Sequence, residues 1–216
     1  MMRKKPMLAY PVSDKPIDYT KPTFIQPKLD GVRCLIQYEG SEASGYESVV
    51  AYSRTGKVWQ NINHILASLI PFFKKYPDVI LDGELYNHAF KDDFESIISM
   101  VRKTKPTDED RSISRKNVQF HCYDIVDETM PFAERDKFIL QAVYNNYDYV
   151  HVLPCQLITS EDAAKKIHKY NLKAGFEGSI VRTNDNYACK RSHNLRKFKD
   201  FSDAEATIVG YEEGKG

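Results

Sequence analysis

Lys28, Asp30, Gly31 and Arg33 fall within six consecutive residues, Lys28-Leu29-Asp30-Gly31-Val32-Arg33, directly after the strand-like run Pro22 to Pro27. A lysine attacks an electrophile only when it is neutral, and burial and a nearby cation such as Arg33 both lower its pKa. The chemistry on offer is therefore nucleophilic, with the amine of Lys28 as the attacking group. The flanking prolines and Asp30-Gly31 put Lys28 at a strand end, with Asp30-Gly31 as the turn and Val32 to Tyr38 as the returning strand. Taken alone, the hexapeptide is equally a hairpin whose turn carries Lys and Arg for solubility.

Five more short motifs follow in order: Ser53-Arg54-Thr55-Gly56, Leu81-Asp82-Gly83-Glu84-Leu85-Tyr86, Phe120-His121-Cys122-Tyr123-Asp124-Ile125-Val126, Phe176-Glu177-Gly178-Ser179-Ile180-Val181-Arg182 and Arg196-Lys197-Phe198-Lys199. Near the end lies Asp203-Ala204-Glu205-Ala206-Thr207-Ile208. This order and spacing resembles the covalent nucleotidyltransferases, and within them the small ATP-dependent DNA ligases of viruses and bacteria. The likeness runs from about Phe24 to the C-terminus.

The resemblance implies a role for each motif. Lys28 would attack the α-phosphate of ATP and retain AMP, which then passes to the 5′-phosphate of nicked double-stranded DNA before the 3′-hydroxyl closes the break. Lys197 and Lys199 would join Lys28 as catalytic groups, stabilising charge on the phosphate. Glu84 would contact the ribose or a metal and Glu177 a metal beside the phosphate, the ion being Mg2+, which favours carboxylate oxygens. Tyr123 would stack on adenine. Gln26 would hydrogen-bond the adenine edge, because an amide carries a donor and an acceptor. Arg33 and Arg54 would bind the nucleotide first and the DNA phosphate later. Arg182 is a weaker candidate that pairs with an acid. The six histidines are assigned no role.

Composition narrows the rest. The 216 residues carry a formal charge of +1, so DNA contact must rest on local patches. The clearest basic patch is Lys190, Arg191, Arg196, Lys197 and Lys199, from which Lys190 and Arg191 are expected to contact DNA. Cys34, Cys122, Cys155 and Cys189 are dispersed and read as reduced. No signal peptide or membrane-spanning run is visible, so a soluble, cytoplasmic protein of a bacterial or virus-infected cell is expected; a monomer is expected as well.

Strand-like runs near 32–38, 46–53, 79–86, 118–126, 150–157, 178–183 and 194–199 alternate with helical patterns at 62–73, 94–101, 132–147 and 160–170. In the run 81–86, alternation sets Asp82, Glu84 and Tyr86 on one face. The fold class is α+β, with mainly antiparallel sheets flanked by helices; that the sheets enclose a nucleotide cleft is implied by the resemblance. Residues 1–21 read as a loosely held arm and 103–117 as an exposed loop. Residues 1–203 are expected to form the adenylation domain and 204–216 the start of an otherwise absent OB-fold. The short arm before Phe24 leaves no room for the domain that binds nicotinamide mononucleotide in NAD-dependent ligases, which favours ATP. An RNA ligase or an mRNA-capping guanylyltransferase is the nearest enzymatic alternative, and a non-catalytic nucleotide or nucleic-acid binding module the alternative of another class.

Overall fold

The computed structural model describes residues 2, 4–40 and 48–199, and their strands form two five-stranded sheets with a cleft between them. The first sheet joins β1 (Leu8–Pro11), β10 (Arg191–Phe198), β9 (Gly178–Thr183), β2 (Thr23–Lys28) and β8 (Gln156–Ile158), in that order. The second joins β4 (Val49–Tyr52), β3 (Val32–Tyr38), β5 (Ile80–Tyr86), β6 (Gln119–Ile125) and β7 (Val150–Val152). Pairing is antiparallel except at β1 with β10 and β6 with β7, so the expected α+β class holds. Expectations for 204–216 lie outside the described residues.

Alternation decides which face of each sheet meets the cleft. On the second sheet, Cys34, Ile36, Leu81, Leu85, Phe120 and Cys122 turn away from it into the main core, with Phe72, Phe73 and Ile139. That core is closed by α1 (Asn63–Ser68), α2 (Ile70–Lys75) and α5 (Phe132–Ala142). Each such side chain, fully buried, contributes about 1.5–3 kcal/mol. The first sheet is backed by α6 (Glu161–Lys173) over a smaller cluster of Ile25, Ile158, Ala164 and Val181. The Ser160 hydroxyl caps α6 by accepting from the Ala163 amide at 3.1 Å.

Four expectations need correction. Lys28 and Arg33 do not sit on one hairpin: β2 pairs with β8 and β9, while β3 pairs with β4 and β5. Asp30-Gly31 is thus a crossover from one sheet to the other. A Cβ on Gly31 would lie 2.6 Å from the Leu85 carbonyl oxygen and 2.7 Å from Glu84 Cγ, so only glycine lets the chain pass β5 there. The arm at the N-terminus is also anchored, with Met7 buried and Leu8–Pro11 forming β1 against β10. Third, the single helix expected over 62–73 breaks at Leu69, because Pro71 has no amide hydrogen to continue the first helix's ladder.

Lastly, the loop expected over 103–117 contains α4 (Asp108–Asn117), preceded by α3 (Phe94–Val101). Thr107 and Asp110 form a reciprocal capping box that starts α4, and Ser114 is buried with its hydroxyl donating to the Asn61 carbonyl. A polar helix that docks through one serine has no apolar period to read.

Candidate active site

Lys28 ends β2, where its backbone partner on β9 is Gly178. Gly178 has φ 147°, and a Cβ there would lie 2.3 Å from the Phe198 carbonyl oxygen. That approach brings the end of β10 against the Glu177-Gly178 step, and the Glu177 amide donates to the Lys28 carbonyl at 3.0 Å. The Glu177 carboxylate then takes two ammonium groups at once, Lys28 on one oxygen and Lys199 on the other. Burial lowers the pKa of the Lys28 amine; Glu84 and Asp30 oppose that shift and Arg33 adds to it. Burial lowers Lys199 as well, with repulsion from Lys28. Two lysines inclined to shed a proton beside one carboxylate make an amine nucleophile with a second cation at hand.

The facing wall is the second sheet, where β3 sets Arg33 across from Glu84. The guanidinium does not pair straight across but diagonally, with Nε 2.6 Å from Asp82 Oδ1 and a second contact from Nη2 to Oδ2. Tyr187 donates to the same Asp82 at 2.7 Å, and its hydroxyl accepts from the Met7 amide at 2.7 Å. Asp82 is thereby consumed by structure and Glu84 is left facing the cleft with one hydrogen bond, from the Tyr123 hydroxyl at 3.1 Å. Burial pushes Glu84 up to about 7 against the pull of Arg33 and Lys28.

Tyr123 reaches the cleft through a bulge. Between β5 and β6 the register runs from Asp82 opposite Asp124 to Gly83 opposite Cys122, which leaves Tyr123 without a partner. An extra residue of this kind re-aims a side chain. The ring has Arg33 and Arg182 at 5.2 and 5.4 Å from its centroid. The same bulge sets two buried carboxylates, Asp82 and Asp124, opposite each other, and each is neutralised by arginine. For Asp124 these are Arg135 Nε and Arg182 Nη1, both at 2.7 Å. Arg182 pairs with an acid, as expected, and its Nε also donates to Gln26 Oε1 at 2.8 Å.

Lys28, Gln26, Arg33, Arg54, Glu84, Tyr123 and Lys197 line one cavity of about 230 Å³, together with Arg182, Leu153 and Ile180. Glu177 and Lys199 touch Lys28 at its edge. A wider groove of about 770 Å³ continues from Arg33, Arg54 and Glu84 past Lys57, Trp59 and Arg102. Exposed Arg54 borders both spaces. The basic patch expected over 190–199 is not one surface. Strand alternation turns Lys197 and Lys199 to the cleft, while Arg196 is buried and donates to the His193, Lys15 and Pro16 carbonyls. Lys190 and Arg191 sit at the far end of β10, with Arg191 donating to the Ala9 carbonyl and lying over Tyr10. They line neither space.

Sequence reasoning missed Asp82, Asp124 and Tyr187 as the supports of the site, and Leu8 and Ala9 as part of its wall. Acids inside otherwise apolar strands were a usable signal, because a buried carboxylate needs a cation. The histidines are structural where they are buried. His168 stacks on Phe198 at 3.8 Å, and burial beside His151 drives His121 down to about 3. All four cysteines are free, and among the described residues no helix is long and apolar enough to cross a membrane.

Against known proteins, a sequence model of the ATP-dependent DNA ligase domain matches residues 6–199. The DNA ligase of Enterobacteria phage T6 is 28% identical over 229 residues, covering 88% of this chain and 46% of the phage protein. A DNA ligase of African swine fever virus is 28% identical over 207 residues, covering 92% of this chain and 46% of its own. The chain thus spans about half the length of the curated relatives it matches. Among solved structures, a Lig E DNA ligase superposes with a TM-score of 0.72 at 22% identity, over all of this chain and 76% of the other. The Chlorella virus DNA ligase-adenylate does so with 0.63 at 24% identity, over 95% and 72%. With that family model matching nearly the whole described chain, the chain belongs to the ATP-dependent DNA ligase domain family.

Proposed function

We propose that this domain performs the nucleotidyl chemistry of a DNA ligase, with Lys28 as the nucleophile, and that the protein seals nicks in double-stranded DNA. The observation that carries this reading is the Glu177 carboxylate held between the Lys28 and Lys199 amines at the mouth of a cavity of about 230 Å³. Lys28 loses its proton through Glu177 to solvent, and its Nζ forms a bond to the α-phosphorus of ATP as the bond to pyrophosphate breaks. Lys197 and Lys199 offset the charge that develops on the phosphate. Tyr123 offers its ring to the adenine, and Arg33, already fixed by Asp82, presents a positive edge without reorganising. AMP then leaves Lys28 for a DNA 5′-phosphate, with Arg54 as the phosphate contact that both spaces share. Lys190 and Arg191 serve only as outer contacts to the duplex.

Glu84 and Glu177 fit a magnesium ion by chemistry. Both are carboxylates beside the cleft with no arginine hydrogen-bonded to them among the described residues, and magnesium takes few protein ligands besides substrate phosphates. The ion would supply charge neutralisation on the triphosphate. The working form is proposed to be monomeric and cytoplasmic.

Intact mass before and after incubation with ATP and magnesium tests the first step. An AMP-sized gain on the wild type, absent from Lys28→Ala and reversed by pyrophosphate, is expected. No gain on the wild type, and no sealing of a pre-adenylylated nick, would overturn the reading. A larger adduct from GTP than from ATP would move the assignment to a capping guanylyltransferase, and sealing of nicked RNA in preference to DNA to an RNA ligase.

A further inference from the structure

A cavity of about 280 Å³ opens between α1 and α4, and none of its lining residues borders the cleft cavity or the groove beyond it. Asn61, Asn63, His64 and Ala67 form one wall, and Arg111 and Arg115, one turn apart on α4, form the other. Its size is close to the lower end of the roughly 300–1,000 Å³ range of small-molecule sites. Among the described residues neither guanidinium meets a carboxylate. Arg111 Nη1 donates to the Asn63 side-chain oxygen at 2.8 Å, with the Asn63 nitrogen turned to the Gln60 carbonyl, and Arg115 Nε donates to the Tyr149 hydroxyl at 3.0 Å. Arg33, Arg135 and Arg182 in the cleft are each spent on an aspartate; this pair keeps its charge for something else.

The opposite wall carries two acceptors with no donor among the described residues. Asn61 is buried, with 2% exposure, and its Nδ2 donates to the Met100 and Asp110 carbonyls at 2.9 and 3.2 Å. Those two carbonyls fix which way the amide faces, and Oδ1 is left unpaired. A buried amide oxygen without a donor costs free energy, and a bound ligand is a natural source of one. His64 meets the Val118 carbonyl through Nε2 at 2.9 Å, and because a carbonyl only accepts, Nε2 carries the hydrogen. Burial lowers the His64 pKa, the Val118 bond opposing that shift and Arg115 adding to it, so the ring is held neutral with Nδ1 as a bare acceptor. Tyr149, which holds Arg115, stands edge-on to His64 with ring centroids 4.9 Å apart. Its backbone has φ 63°, a left-handed conformation that is costly for a bulky residue and persists where the surroundings over-determine it.

We propose that this cavity binds the phosphate monoester of a hydroxyl-bearing small molecule, with Arg111 and Arg115 on the phosphate and Asn61 Oδ1 and His64 Nδ1 accepting from its hydroxyls. Two guanidiniums without a carboxylate call for an oxyanion, and their planar forks suit phosphate. The two acceptors call for donors, which a sugar hydroxyl supplies and the phosphodiester backbone of DNA lacks. A nucleoside monophosphate and a free sugar phosphate share this chemistry. The site stands apart from the cleft and from the lysyl chemistry proposed for it.

The experiment titrates nitrogen-15-labelled protein with AMP, ribose 5-phosphate, 2′,3′-dideoxy-AMP and adenosine, and follows the ring nitrogens of His64 by NMR, with His64→Gln to assign them. His64 lines this cavity and neither space of the cleft, so nucleotide entering the cleft is not what these signals read. The expected result is a saturable shift with AMP or with ribose 5-phosphate, and whichever binds more tightly names the source. Adenosine, which has no phosphate, should bind about tenfold or more weakly than AMP, the size of a charged hydrogen bond. Arg111→Gln and Arg115→Gln should weaken AMP to the same degree while keeping the wild-type midpoint in urea unfolding. The dideoxy nucleotide should lose roughly fivefold, the size of a neutral hydrogen bond. No saturable shift with either phosphate ester, equal binding of AMP by the wild type and both arginine variants, or equal affinity for AMP and its dideoxy form would overturn the proposal. So would saturation by a DNA duplex and by neither small ester.

Discussion

Two sets of ion pairs sit within one cleft and are built in opposite ways. Behind its surface, Asp82 and Asp124 are fully buried and pair with Arg33, Arg135 and Arg182 through planar, multiply hydrogen-bonded contacts. At its mouth, Glu177 pairs with Lys28 and Lys199, whose side chains keep 23% and 32% exposure. Arginine holds a carboxylate in a fixed plane and does not titrate, while lysine is a movable point charge that loses its proton when buried. The first set is scaffold. On the proposed function the second is the reactive set, because a phosphate can displace its carboxylate and because one of its amines can be freed to attack.

That contrast can be broken from either side. The largest expected effect is on chemistry: Lys28→Ala removes the nucleotide adduct entirely, read by intact mass, and leaves the unfolding midpoint close to that of the wild type. Next is Asp124→Asn, which leaves two buried arginines with no matching charge and should cost about 3–5 kcal/mol in urea unfolding. If that variant were as stable as the wild type, the scaffold reading of the arginine–aspartate set would be wrong. Glu177→Gln should do the reverse, slowing adduct formation markedly while shifting stability by no more than about 1 kcal/mol, since its partners are partly exposed.

Glu84 sharpens the comparison through pH. Its pKa is raised in the folded protein to about 7 from 4.5, so the folded state holds its proton more tightly than the unfolded chain does. The stabilisation this gives is complete below about pH 4.5 and is lost as pH rises through about 7. Glu84→Gln should therefore match the wild type in acid and exceed it by roughly 1–2 kcal/mol at pH 8, read from paired urea titrations. Adduct formation should rise with pH and level off below the ordinary lysine value, because burial lowers the Lys28 pKa. The smallest expected effect is Lys190→Ala, which should leave the adduct untouched and flatten the salt dependence of duplex binding by about one unit of slope.

Much of the site was legible in the sequence. Lys28, Glu84 and Lys197 are charges set in strand-like runs, where a charge needs a ligand or a counter-ion, while Tyr123 and Glu177 were legible only through the motifs that hold them. What misled was locality. Lys28 and Arg33 are close neighbours in the chain and look like two arms of a hairpin, yet Gly31 carries the chain from one sheet to the other. Lys190 through Lys199 look like one basic patch, yet alternation and burial distribute them to three environments.

Local sequence set most of the elements and the whole inventory of the site. Period-two runs set the strands, the Thr107 to Asp110 cap was present to be read, and the lysines, acids and amide of the site were fixed in number and order. Which acid is spent on scaffold and which is left facing the cleft was settled by packing between the two sheets. Asp82 and Glu84 occupy one face of one strand, two residues apart, with Arg33 across from Glu84. The arginine nevertheless goes to Asp82, where Tyr187 and the anchored N-terminal strand complete the shell from the other sheet. Partners so far apart in the chain meet only when both sheets have formed, because a buried charge is stabilised by what surrounds it in space and not by its neighbours in sequence.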